Sequence, residues 1–117
     1  MKRDLRLFFE DIVESINKIE EYTKGIAEDE FYRNTQIQDA VLRRLEIIGE
    51  AVKHIPKRLR DKRPDIPWKK IAGTRDILTH EYFGVHLRNV WKIIQEDLVD
   101  LKSRMIELRK TLLKDDI

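Results

Sequence analysis

The sequence predicts an all-α domain, a four- to five-helix up-down bundle, and three observations carry that prediction. All three prolines fall between Pro56 and Pro67, so residues 1–55 and 68–117 are free of the strongest helix breaker. Apolar residues in both stretches recur at steps of three and four, the period of one helix face. No segment alternates apolar and polar residues at period two, so strands have no support. A chain of 117 residues suits a single domain, 1–117, and can bury roughly two-thirds of its extended surface.

The elements follow in order. Leu5, Phe9, Ile12, Ile16 and Ile19 form the stripe of a first helix, which Gly25 and the acidic run Glu28-Asp29-Glu30 are expected to end. Asn34 or Thr35 can cap the next helix, whose stripe is Ile37, Val41, Leu45, Ile48, Val52 and Ile55, up to Pro56. The segment from Pro56 to Pro67 should hold a short helical turn and a loop. Pro67 suits the first turn of a further helix with Trp68 and Ile71 facing inward, running to about His80 with a kink allowed at Gly73. The last helix should run from near Val85 to about Leu113, on the stripe Val90, Ile94, Leu98, Leu101, Met105, Leu108 and Leu112. Trp91, Val99 and Ile106 widen that stripe beyond what one neighbour needs, which leaves apolar surface for a partner, most simply in a twofold dimer.

Composition narrows the function. Charged residues make up 39% and hydrophobic ones 41% of the chain, too apolar for a disordered segment. The absence of cysteine excludes disulfides and thiolate metal sites. The N-terminal residues read as neither a signal peptide nor a membrane span, so a soluble, cytoplasmic protein with no membrane partner is expected. The net charge of +2 hides a strong asymmetry: residues 1–52 carry −4, residues 53–75 carry +7, and residues 76–117 carry −1. A basic middle third suggests a polyanionic partner, although short basic linkers between helices are also common.

Most catalytic constellations can be set aside. His80 and His86 are too far apart for a zinc-protease helix, and Gly84 interrupts them. Glu50 and His54 lack the further carboxylates of a di-iron bundle. The glycines are scattered singly, so no phosphate-cradling loop is present, and Ser15 and Ser103 have no nearby His–carboxylate pair in sequence. Neither metal nor cofactor is therefore expected.

The informative segment is Gly73-Thr74-Arg75-Asp76-Ile77-Leu78-Thr79-His80-Glu81-Tyr82-Phe83-Gly84. Arg75, Asp76, His80 and Tyr82 place four chemically versatile groups within eight residues. On an ideal helix Arg75 and His80 lie about 140° apart, and twofold pairing of this helix would bring two copies of the set to one cleft. A guanidinium can bind phosphate oxygens bidentately and stabilise charge developing on them. An imidazole can exchange protons with a ribose 2′-hydroxyl or a leaving oxygen, and Asp76 can orient either side chain. RNA supplies its own nucleophile in that hydroxyl. The same spacing also fits a histidine cap and ordinary surface contacts.

The segment Arg75 to Tyr82 resembles the Arg-x4-His-x-Tyr motif of HEPN-domain toxins of the HepT type, the ribonuclease partners of minimal nucleotidyltransferase (MNT) antitoxins. Gln38 to Ala51 is similar to that family's second helix. Ile66-Pro67-Trp68-Lys69-Lys70-Ile71-Ala72-Gly73 and Tyr82-Phe83-Gly84-Val85, leading to Val90-Trp91, are similar to the segments flanking its motif. The resemblance implies a metal-independent endoribonuclease acting as a homodimer, with Arg75 and His80 of both subunits lining the interface cleft. Asp76 stands where the family more often carries Asn. Tyr82 matches the tyrosine that the cognate nucleotidyltransferase adenylylates, and AMP there would add bulk and negative charge beside the cleft. The partners so implied are an RNA substrate and the MNT antitoxin, with which the dimer can form a larger hetero-oligomer. Lys69, Lys70 and Arg63 of the basic window fit the electrostatic side of RNA binding. A non-catalytic helical module that merely docks a nucleotidyltransferase is the alternative from another class.

Overall fold

The computed structural model describes residues 4–80 and 87–115, with side chains described except at 75–80 and 112–115. It is an all-helical bundle, and among the described residues there are no strands. Seven helical pieces follow one another: α1 (Leu5–Thr23), α2 (Glu28–Arg33), α3 (Thr35–Lys53), α4 (Lys57–Arg60), α5 (Trp68–His80), α6 (Leu87–Lys92) and α7 (Leu98–Asp115). A π-helical turn, Ile93–Asp97, joins α6 to α7, so the two run on as one rod with a single widened turn. α3 packs against both α1 and α5, α1 also meets α7, and α2 bridges α3 and α6.

Local chemistry explains where the helices start and stop. Asp4 caps α1 by accepting the Arg6 backbone N–H at 3.0 Å. Its hydrogen bond from the Arg6 side chain holds its carboxyl below the usual range. α1 ends at Thr23, and the chain turns through Gly25 at φ 77°, a left-handed conformation that favours glycine. The acidic run does not close α1 as the sequence suggests. Glu28, Asp29 and Glu30 instead form the first turn of α2, where their charges oppose the positive end of the helix dipole. Asn34 caps α3, its side-chain oxygen accepting from the Ile37 N–H at 3.0 Å. α3 stops at Lys53, three residues before Pro56, and Ile55 buries its side chain from the connecting turn.

The expected stripes form the core. Phe9, Ile12, Ile16 and Ile19 of α1 are fully buried, as are Met105 and Leu108 in the middle of α7 to within 1%. Val41, Leu45, Ile48 and Val52 of α3 complete the central layer. Among the described side chains, which do not include Leu112, four apolar residues sit differently from their pattern: Leu5, Ile37 and Ile71 are only partly buried, and Val99 is 59% exposed, on the outer side of α7. Trp91 is partly buried, its ring 5.3 Å from that of Phe31, so it belongs to the packing between α2 and α6. No helix among the described residues is long and apolar enough to cross a membrane.

Candidate functional site

The motif lies on α5, and the first turn of that helix is fixed from two directions. The Pro67 carbonyl accepts the Ile71 N–H at 3.0 Å, opening the helix directly after the proline. Trp68 is buried, and its indole N–H donates to the carbonyls of Arg60 (3.2 Å) and Arg63 (3.0 Å), tying α5 to the end of α4. From there the backbone stays helical through Gly73 to His80, with no break at the glycine. Arg75, Asp76 and His80 therefore share one helix packed on α3. By helix geometry the Cα positions of Arg75 and His80 are separated by about 7.5 Å along the axis and about 140° around it. Tyr82 lies outside the described residues.

The three basic-window residues fall into two groups. Lys69 and Lys70 are exposed on the first turn of α5, and Lys70 Nζ comes within 4.0 Å of Asp97 on the π-helical turn. Arg63 is engaged inside the fold. Its Nε and Nη2 donate to the two carboxylate oxygens of Asp65 at 3.0 and 2.8 Å, and its Nη1 donates to Glu107 of α7 at 2.8 Å. Arg104 completes this clasp: its guanidinium donates to the Asp65 carbonyl at 2.6 Å and pairs with Asp100 at 3.0 Å. The bidentate Arg63 pairing pulls the Asp65 carboxyl down to about 2 and holds the guanidinium charged well above its ordinary range. The charge of Arg63 is thus matched within the protein, and its evident work is to pin the loop before α5 onto α7.

Two clefts flank this framework. One, of about 160 Å³, opens beside the N-terminal half of α5. Ile71, Leu45, Ile48 and Ile93 give it an apolar floor, with Lys70, Asp97, Asp100 and Arg104 around its rim. The other, of about 330 Å³, lies between α1 and α3. There the His54 ring stacks on Phe8 with centroids 4.7 Å apart and planes within 10°, and its Nε2 stands 3.5 Å from Glu50. Among the described residues no cluster of His, Asp or Glu is placed to hold a metal ion.

Sequence reasoning missed the Arg63–Asp65–Glu107–Arg104 clasp. The signal available was the Arg63-x-Asp65 spacing, but the partners on α7 are about forty residues away and nothing local announces them. It also missed the widened turn that brings Ile93 and Asp97 to the cleft beside α5.

Comparison with known proteins places the whole arrangement in a context. A family profile described as "Ribonuclease HepT-like" matches residues 12–108, a span that contains Arg75, Asp76, His80 and Tyr82. A "Probable ribonuclease HepT" from Thermococcus cleftensis is 46% identical over 110 residues, covering 94% of this chain and all of the relative. A "Putative RNase" from Methanocaldococcus jannaschii is 46% identical over 104 residues, covering 89% of this chain and 95% of the relative. A third relative from the same organism, named "Gamma-glutamylcyclotransferase and putative RNase", is 44% identical over 98% of this chain. The chain spans only 52% of that longer protein. No solved structure matches the chain.

Proposed function

Because the chain belongs to the HepT-like ribonuclease family, we propose that it is a metal-independent endoribonuclease, the toxin of a pair whose antitoxin is an MNT nucleotidyltransferase. The observation that carries this reading is the presence of Arg75 and His80 on one continuous helix, inside the span that matches a ribonuclease family. About 140° apart around that helix, they do not share a face, so the reading assigns the cleft to a twofold pairing in which both protomers contribute.

The chemistry needs only these groups and the substrate. The 2′-hydroxyl oxygen attacks the adjacent phosphorus while the His80 imidazole accepts its proton. The P–O5′ bond breaks, the departing 5′-oxygen takes a proton from the imidazolium so formed, which returns to neutral imidazole, and a 2′,3′-cyclic phosphate remains. The Arg75 guanidinium stabilises the charge on the non-bridging oxygens. Asp76 orients one of the two side chains, and Lys69 and Lys70 attract the strand. Adenylylation of Tyr82, two residues beyond His80, places AMP against the same site and silences it.

The decisive experiment incubates the purified protein with RNA in excess EDTA. Wild type should leave 2′,3′-cyclic phosphate ends, and Arg75→Ala and His80→Ala should each lose cleavage by on the order of a hundredfold or more. Cleavage unchanged in either variant removes the assigned mechanism. Intact mass after incubation with a partner nucleotidyltransferase and ATP tests Tyr82. An AMP addition absent from Tyr82→Phe supports the assignment, and one retained in that variant refutes it.

A further inference from the structure

Residues 53–75 hold two carboxylates, Asp61 and Asp65, against nine Lys and Arg. Both are already engaged: Asp61 with Lys57 at 2.9 Å and Asp65 with Arg63 at 2.8 Å. Outside help goes to Arg63 from Glu107 and, at 4.0 Å, to Lys70 from Asp97. Arg58 and Arg60 of α4 and Lys69 at the start of α5 have no carboxylate partner among the described residues, and Arg58 and Lys69 are exposed. Arg60 is half-buried, and its Nε is enclosed with no acceptor among the described residues, so only the outer end of its guanidinium reaches the surface. The excess charge is therefore concentrated on α4 and the adjoining turn of α5.

This surface is built rigidly, unlike a solvated basic linker. Leu59, in the middle of α4, is 1% exposed, and Ile66 of the following loop is 2% exposed. The Trp68 indole grips the carbonyls at the end of α4, and the Arg63–Asp65–Arg104 clasp fixes the loop to α7. Cations held on a pinned scaffold lose little freedom when they meet a ligand. The ligand class follows from what surrounds them. A protein-binding patch has an apolar centre, yet the exposed large hydrophobics among the described residues are Leu7 and Val99, neither in this segment. Arginines without an apolar centre suit phosphates.

We infer that α4 and the first turn of α5 form a second RNA-contact surface, in which Arg58, Arg60 and Lys69 hold backbone phosphates of the strand that is cleaved at the motif. The inference rests on the ribonuclease reading above and adds a length requirement to it. Along α5, Lys69 is about 9 Å from Arg75 and about 16 Å from His80. At roughly 3.4 Å per stacked nucleotide, that is a span of about three to five nucleotides. Substrates that reach from the motif to α4 gain these contacts, and shorter ones do not.

The test uses the full chain and a fluorescent RNA oligonucleotide carrying 2′-O-methyl groups, which cannot supply the attacking hydroxyl. Affinity is measured by anisotropy across a salt series for strands of about two and about twelve nucleotides. The double variant Arg58→Gln/Arg60→Gln should weaken binding of the longer strand and reduce its salt slope by about 1.4. The shorter strand should be unaffected. Lys24→Gln/Lys110→Gln removes the same charge from exposed sites elsewhere and should keep the wild-type slope. An unchanged slope in the α4 variant, or an equal loss in the control variant, overturns the inference. Binding is read without cleavage, so a wild-type protein that cuts no RNA counts against the ribonuclease reading, whereas an unmoved slope counts only against this surface.

Discussion

Replacing Gly73 with Ala should make the protein more stable. Gly73 lies inside α5, between the anchored Trp68 end and the motif, and its backbone is helical with no positive φ. A Cβ built there meets no heavy atom within 4 Å. With no steric penalty, the gain is the difference in helix propensity and unfolded-chain entropy, about 0.5–1 kcal/mol. For a chain of this size each kcal/mol moves Tm by roughly 4 °C, so Gly73→Ala should melt about 2–4 °C higher. Circular dichroism at 222 nm gives the melt, and urea titration should show a higher midpoint at unchanged m. A lower Tm would refute the reasoning, because it would mean that the space beside Gly73 is filled in solution. Repeating the melt at a tenth of the concentration then identifies the filler: a penalty that fades on dilution comes from a second copy packed against α5.

Three further outcomes are expected. Leu59→Ala, at a site 1% exposed, should lower unfolding stability by about 2–5 kcal/mol in urea titrations, and an effect under 1 kcal/mol would mean that α4 is not seated in the core. Trp68→Phe removes the donor shared by the Arg60 and Arg63 carbonyls; a loss of about 1–2 kcal/mol is expected, and melting at the wild-type temperature would show that the indole contacts are dispensable. Asp65 has its carboxyl held at about 2 by the Arg63 guanidinium. Because the folded value is depressed, its stabilising contribution is present above the unfolded value near 3.8 and disappears as pH falls through about 2. Asp65→Asn should therefore be less stable than wild type at neutral pH, with the gap closing between pH 4 and 2. A gap independent of pH would assign the effect to packing rather than charge.

How much of this could be read from the sequence depends on the range of the forces involved. The stripes of α1, α3 and α7 were readable because burial repeats every three or four residues, and Phe9, Ile12, Ile16, Ile19, Val41, Leu45, Ile48, Val52, Leu98, Leu101, Met105 and Leu108 are buried where that period puts them. α2 escaped because a six-residue helix with one buried residue, Phe31, has no period to detect, and its acidic opening looks like a stop signal. The motif on α5 was legible as an order of residue types. The ion pairs of Arg63 were not, since its partner Glu107 lies 44 positions away. Val99 fitted a widened stripe yet is 59% exposed, because the inner side of α7 that packs on α1 is already occupied by Leu98, Leu101, Met105 and Leu108.

The π-helical turn at Ile93–Asp97 holds one residue more than an α turn, so the rod from α6 to α7 has one place where its residue count can change. Deleting one residue within it would close it to an ordinary α turn and leave Leu101, Met105 and Leu108 facing the core, whereas a deletion in the regular turns of α6 or α7 would swing everything downstream by about 100° and carry Arg104 and Glu107 away from the loop they secure. Relatives that lack one residue in this turn should therefore keep the same packing of α7, while gaps in the regular turns on either side should be excluded.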